Sequence, residues 1–142
     1  MSGERDKPLP LTAYRLPLTA LRSMSESSLS DFRAFRERMN DIILNAGNLT
    51  VNRFFALDNR AYLAGTLGVK TKEMLGLVAS LVLRCDDCVT YHVVRCKEEG
   101  VTDEEMLEVF AVGLVVGGSI VIPHLRRAMG RLEELRVPRA NG

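Results

Sequence analysis

From Ser28 onward, Leu29, Phe32, Phe35, Met39, Ile42 and Ile43 recur every three or four residues, until Gly47 stands where a helix would stop. This spacing predicts the first helix. Val51 to Ala64 repeats the pattern with Phe54, Phe55, Leu57, Ala61 and Tyr62, and Gly65 closes it. Thr71 to Leu83 is different, because between Glu73 and Arg84 Ser80 alone is clearly polar. A helix that is apolar nearly all round is expected to run through the centre of a fold. A fourth helix is predicted over about Asp86 to Glu99, stopped by Gly100. A fifth opens on Thr102-Asp103-Glu104-Glu105, the pattern of a capping box, and a sixth covers about Ile120 to Leu135.

Residues 1–25 carry Pro8, Pro10 and Pro17 and no sustained apolar stripe, so they read as an irregular arm ahead of a helical domain over 26–142. Val109 to Leu125 lacks a formally charged residue and approaches the length of a membrane span, but Gly117, Gly118, Ser119 and Pro123 break it. Two buried helical pieces are expected there, and no membrane association.

The composition narrows the class. In 142 residues, 46% hydrophobic against 26% charged suits one globular domain, and 6% aromatics with no Trp does not suit a sandwich or barrel of many short strands. The expectation is an all-α, single-domain helical bundle of about six helices. Lys and Arg number 19 against 18 Asp and Glu, a net charge of +1 that gives no electrostatic footprint for nucleic acid or anionic membrane. Arg126, Arg127, Arg131 and Arg136 on the last helix read as a solvated face whose cations complement the helix dipole. The start of the chain shows no signal-peptide pattern and the cysteines number three, so a cytoplasmic protein with catalytic or redox use of its thiols is expected.

Those thiols are Cys85 and Cys88 of Cys85-Asp86-Asp87-Cys88, with His92 four residues further on, and Cys96. On a helix, residues three or four apart share a face, so Cys85 can close a disulfide with Cys88 and His92 can reach the Cys88 sulfur. A helix N-terminus lowers a thiol pKa, an effect that Asp86 and Asp87 oppose. Glu73 is one of the few ionisable groups on the central helix. Gly76 and Ser80 would let another helix approach closely enough for Glu73 to meet His92, which would complete a relay from Cys88 through His92 to Glu73. Placed on one helix, Cys85, Cys88, His92 and Cys96 span about 16 Å at the helical rise, too far apart to surround one zinc ion, so no metal is expected. Cys96 reads as a small buried hydrophobe and Tyr91 as a packing residue.

Glu73, eleven residues, Cys85-x-x-Cys88, three residues, His92 resembles the active-site signature of the alkyl hydroperoxidase D-like branch of the carboxymuconolactone decarboxylase family. The resemblance continues through Gly100, the Thr102 helix start and Gly117-Gly118-Ser119, about residues 50–135. It implies an all-helical fold assembled as a trimer or hexamer, and a thiol-dependent peroxidase with an antioxidant role and no metal or organic cofactor. Carried over by position, Cys88 is the peroxidatic thiol, Cys85 the resolving and more accessible thiol, and Glu73 with His92 the relay that deprotonates Cys88. One position departs, since the well-known peroxidase of the family has His directly before its second motif cysteine and this chain has Asp87.

The expected function is therefore a peroxidase or disulfide reductase. Its partners would be a peroxide and an external dithiol, either a thioredoxin-like or a lipoyl protein. Two alternatives stand beside it. One is a lyase of the carboxymuconolactone decarboxylase type, which would use Glu73 and His92 without the thiols. The other is a redox-responsive oligomer whose disulfide forms without turnover.

Overall fold

No proline or glycine occurs between Leu18 and Ala46, and the segment folds as one long helix, α1, over Leu18–Asn45. The computed structural model describes residues 18–136 and, within them, the side chains from 29 onward. The helix thus begins ten residues ahead of the expected start at Ser28, and residues 18–25, expected to be irregular, are helical. Leu, Ala, Arg and Met are good helix formers even without a regular apolar stripe, and Pro17 stands just before the first turn, where proline is tolerated. The rest of the expected arm lies outside the described residues.

Five further helices follow: α2 over Leu49–Ala61, α3 over Val69–Val82, α4 over Asp86–Glu98, α5 over Asp103–Gly117 and α6 over Ile122–Arg136. A short 3-10 turn, Ser119–Val121, leads into α6, and there is no strand among the described residues. The starts are fixed by side chains. Asn48 Oδ1 accepts from the Val51 N–H to cap α2. Thr102 and Glu105 form a reciprocal capping box at α5, and Lys70 reaches Glu105 at 2.8 Å, tying the first turn of α3 to that of α5.

The core lies among α3, α4, α5 and α6, where Leu77, Leu81, Val93, Met106, Phe110 and Leu132 are almost completely buried. Each such side chain contributes about 1.5–3 kcal/mol by leaving water. Gly113 makes room for this layer, because a Cβ there would stand 3.1 Å from Leu81 Cδ1.

Two expectations from periodicity change here. Helix α3 buries one face, Glu73, Leu77, Ser80 and Leu81, and leaves Leu75, and Leu83 just past its end, exposed. The apolar stretch after Val109 is likewise only half buried: Val109, Phe110 and Val121 face the core, while Val112, Val115, Val116 and Ile120 face outward. No described helix is long and apolar enough to cross a membrane. The stripes of α1 and α2 are also largely uncovered, with Phe35, Ile42, Phe54 and Leu57 each more than half exposed. Periodicity marks which face seeks cover but not whether one chain supplies it.

Candidate redox site

Helix α3 ends in a backbone motif that places Cys85. Leu83 is its cap, Arg84 follows at φ 60°, and the N–H groups of Arg84 and Cys85 donate to the carbonyls of Leu81 and Ser80, at 3.0 Å each. These two bonds make a Schellman motif, in which the left-handed position normally falls to glycine. An arginine there carries roughly 1–2 kcal/mol of backbone strain. The turn is so short that Cys85, which closes α3, is also the N-cap of α4: its Sγ accepts from the Cys88 N–H at 3.3 Å. Cys88 falls in the first turn of α4, its Cα 5.2 Å from that of Cys85, and the two sulfurs are joined as a disulfide.

The accessibility of the pair is the reverse of the order implied by resemblance. Cys88 is exposed and Cys85 only partly so, because the N-cap position holds Cys85 against the end of α3 while Cys88 turns toward α1 and α2. Cys88 lines a groove of about 350 Å³ between those helices and α4, with Phe32, Phe35, Met39, Tyr62, Tyr91 and His92 among its walls. Arg36 stands over the Tyr91 ring at 4.3 Å, and Asp58 and Asp87 supply carboxylates to the same groove. Tyr91 therefore packs, edge to face against His92, as well as facing the groove.

Glu73 and His92, 19 residues apart, meet directly: His92 Nδ1–H donates to Glu73 Oε2 at 2.8 Å. Glu73 is 1% exposed and its other oxygen faces Arg95 Nε at 3.4 Å, while Arg95 is held outward by Glu98 and Glu99. Glu98, and after it Glu73, hold the Arg95 guanidinium firmly in its charged form. Since α3 starts at Val69, Glu73 lies beyond the first turn, so the helix dipole is not what places a carboxylate there. The approach depends on Gly76. A Cβ at that position would stand 2.5 Å from His92 Cε1 and 2.7 Å from the Tyr62 hydroxyl. Ser80 spends its hydroxyl on the Gly76 carbonyl at 2.7 Å.

The other ring nitrogen of His92 faces Tyr62, whose hydroxyl lies 3.4 Å from Nε2. With Nδ1–H committed to Glu73, Nε2 is the acceptor and the phenol donates. Burial raises the Tyr62 pKa, helped by the charges of Glu73 and Asp58 and by Tyr91. Sequence reasoning placed Tyr62 in an apolar stripe and missed this contact. Its position at the C-terminal cap of α2 gave no sign of what it would face.

Asp86 also has partners that the sequence did not reveal. His124 Nδ1 donates to its Oδ1 at 2.7 Å and Arg127 Nη1 to its Oδ2 at 2.9 Å, both from α6. Arg127, expected on a solvated face, thus offsets the charge of a carboxylate lying between the two motif cysteines. That leaves Asp87 as the motif's acidic group on the groove side.

Cys96 points the other way, into the core beside Leu77 and Leu81, at 0% exposure. Burial pushes its thiol up to about 12. After reduction of the folded protein, iodoacetamide at pH 8 is therefore expected to label Cys85 and Cys88 and to spare Cys96. Peptide mass mapping before and after unfolding checks this, and equal labelling of all three thiols would refute the burial.

The sequence profile of the carboxymuconolactone decarboxylase family matches residues 49–130. Two crystal structures of one Thermotoga maritima protein superpose with TM-scores of 0.73 and 0.72 at 59% and 58% sequence identity, each covering 75% of this chain and 93% and 90% of that protein. That protein is described as a carboxymuconolactone decarboxylase family member for which a part in an antioxidative response has been suggested. A Legionella pneumophila member of the same family shares the fold at 21% identity, with a TM-score of 0.58 over 83% of this chain and 98% of its own. A Paracoccus denitrificans protein known as uncharacterized protein 4 in cox locus is 27% identical over 90 residues, 63% of this chain and 81% of its own length.

Proposed function

The chain belongs to the carboxymuconolactone decarboxylase family, and from that premise we propose that it is a thiol-dependent peroxidase and disulfide reductase of the alkyl hydroperoxidase D-like kind. The observation that carries this reading is the meeting, in one groove, of a cysteine able to pair with its neighbour and an imidazole oriented by a buried carboxylate. The antioxidative response suggested for the Thermotoga relative is in keeping with it.

In the reduced enzyme His92, held through Nδ1 by Glu73, accepts the Cys88 proton. The Cys88 thiolate attacks the outer oxygen of a hydroperoxide, the O–O bond breaks, and the alkoxide leaves and takes up a proton, so that Cys88 becomes a sulfenic acid and the peroxide an alcohol. The Cys85 thiolate then attacks the sulfenic sulfur, and hydroxide departs as water once protonated. An external dithiol reduces the Cys85–Cys88 disulfide by exchange and is itself oxidised. Such turnover needs a reducing pool, and a cytoplasmic setting is part of the same proposal. A hydroperoxide-consumption assay with a panel of dithiols, with mass spectrometry of the thiol state, tests this. Consumption that survives alkylation of both motif cysteines would overturn it.

The same reading includes a homo-oligomer, a trimer or hexamer, and the exposed apolar faces of α1, α2 and α5 are its support. Val115 at 86%, Phe54 at 66% and Leu57 at 64% exposure are large apolar side chains left in water, the kind of surface that contiguous association faces present. Light scattering at micromolar concentration is expected to give a multiple of the 15.8 kDa chain mass, and a monomer would refute the association.

A further inference from the structure

Tyr62 reaches His92 from the C-terminal cap of α2, a helix that contributes none of the motif residues, and does so on the ring nitrogen opposite to Glu73. The contact is built in. Any side chain at residue 76 would occupy the space of the Tyr62 hydroxyl and of His92 Nε2, 2.7 and 2.8 Å from its Cβ, so glycine at that place is what lets the two rings meet. The rings lie 5.3 Å apart, centroid to centroid, and Tyr62 shares the groove wall with Cys88. A second phenol, Tyr91, is near, and it packs against His92 ring to ring, with centroids 5.1 Å apart and planes inclined at 72°.

Resting on the peroxidatic reading above, we propose that Tyr62 is a catalytic acid, the group that protonates the leaving alkoxide with the proton that His92 has taken from Cys88. Nε2 takes the Cys88 proton in place of the long hydrogen bond from the phenol, and Nε2–H then donates to the Tyr62 oxygen while the phenolic hydrogen turns into the groove. The Cys88 sulfur forms its bond to the outer peroxide oxygen while the O–O bond breaks. The departing alkoxide takes the Tyr62 proton and leaves as an alcohol, and Tyr62 recovers a proton from His92 Nε2, which returns the imidazole to its neutral form. One proton moves in all, from Cys88 to the alcohol, with no further reactant. The raised pKa of Tyr62 keeps the phenol protonated between turnovers. A contact of 3.4 Å is long for proton transfer at rest, as hydrogen bonds in catalytic sites commonly are before substrate binds.

The test turns on leaving-group basicity. An alkoxide is a strong base that needs the proton, whereas the carboxylate released from a peracid does not. With the reduced full chain, the rate of Cys88 oxidation is measured by quenched mass spectrometry with tert-butyl hydroperoxide and with peracetic acid, in the wild type, Tyr62→Phe and Tyr91→Phe. Tyr62→Phe is expected to slow the hydroperoxide reaction by about 10- to 100-fold and the peracid reaction by less than about twofold, and Tyr91→Phe, a packing change beside the same imidazole, to alter the two reactions alike. Equal losses with both oxidants in Tyr62→Phe would reduce Tyr62 to a packing role, and no loss would remove it from the reaction. A wild type inert to tert-butyl hydroperoxide would sink the peroxidatic reading and this inference together. Should Tyr62→Phe fail to fold, the wild type still decides. Its rates across hydroperoxides of graded alcohol acidity are expected to vary less steeply than those of free dithiothreitol, and an equal slope overturns the proposal.

Discussion

Cys88→Ser is expected to consume hydroperoxide no faster than the uncatalysed background, whereas Cys85→Ser should oxidise one equivalent per chain and stop at the Cys88 sulfenic acid. Attack and resolution are separate steps, and each variant removes one of them. The structure favours Cys88 for attack on two grounds. It is exposed on the groove wall that His92 also lines, and it sits in the first turn of α4, where the helix dipole favours a thiolate. Of the two neighbouring carboxylates that oppose this, Asp86 is paired with Arg127 and hydrogen-bonded to His124. Cys85, whose Sγ accepts the Cys88 N–H, is within bonding reach as soon as Cys88 is oxidised. Trapping with a sulfenic-acid reagent, followed by peptide mapping, locates the label. If Cys88→Ser still destroys peroxide rapidly and carries the label on Cys85, the two roles are exchanged.

Glu73→Gln and His92→Gln are each expected to move the midpoint of Cys88 alkylation up by about one pH unit, and the double variant scarcely further. The cause is a single linkage. Glu73 fixes the His92 ring through Nδ1–H and so leaves Nε2 as the nitrogen that takes the Cys88 proton, and losing either residue removes the same acceptor. The sign follows: the thiolate becomes less stable relative to the thiol, and a higher pH is needed to form it. Rates are measured against pH on a Cys85→Ser, Cys96→Ser background, so that one thiol reports. Additive displacements would mean that the two residues act separately, and an unmoved profile in Glu73→Gln would reduce that carboxylate to a structural partner of Arg95. Glutamine keeps an acceptor for His92 Nδ1–H, so folding should survive the change.

Fold class was readable because helices carry their own instructions. The apolar spacing, Gly100 at φ 76° and the Thr102 capping box each act within a few residues, and α4 and α5 begin and end close to where these signals stand. The motif spacing likewise puts Cys85 and Cys88 at the start of one helix and His92 one turn further along, since i to i+4 geometry is local. Signals of that range carry no information about burial. The periodic stripes of α1 and α2 are equally regular whether another element covers them or not, which is why residues expected to be inside are found outside.

Contacts between helices were decided by the tertiary structure. Tyr62 on His92, Arg95 on Glu73, and His124 with Arg127 on Asp86 join residues 22 to 41 positions apart, through side chains whose local spacing encodes no partner. The relative exposure of the two cysteines was decided there too, because it follows from a left-handed Arg84 that turns the chain where no glycine announces a turn. The sequence by itself determined the helices and the spacing of the thiols. Which charges neutralise one another around the thiols, and which phenol meets the imidazole, came from packing, since a side chain's electrostatic environment is set by neighbours in space and the chain order records only neighbours along the backbone.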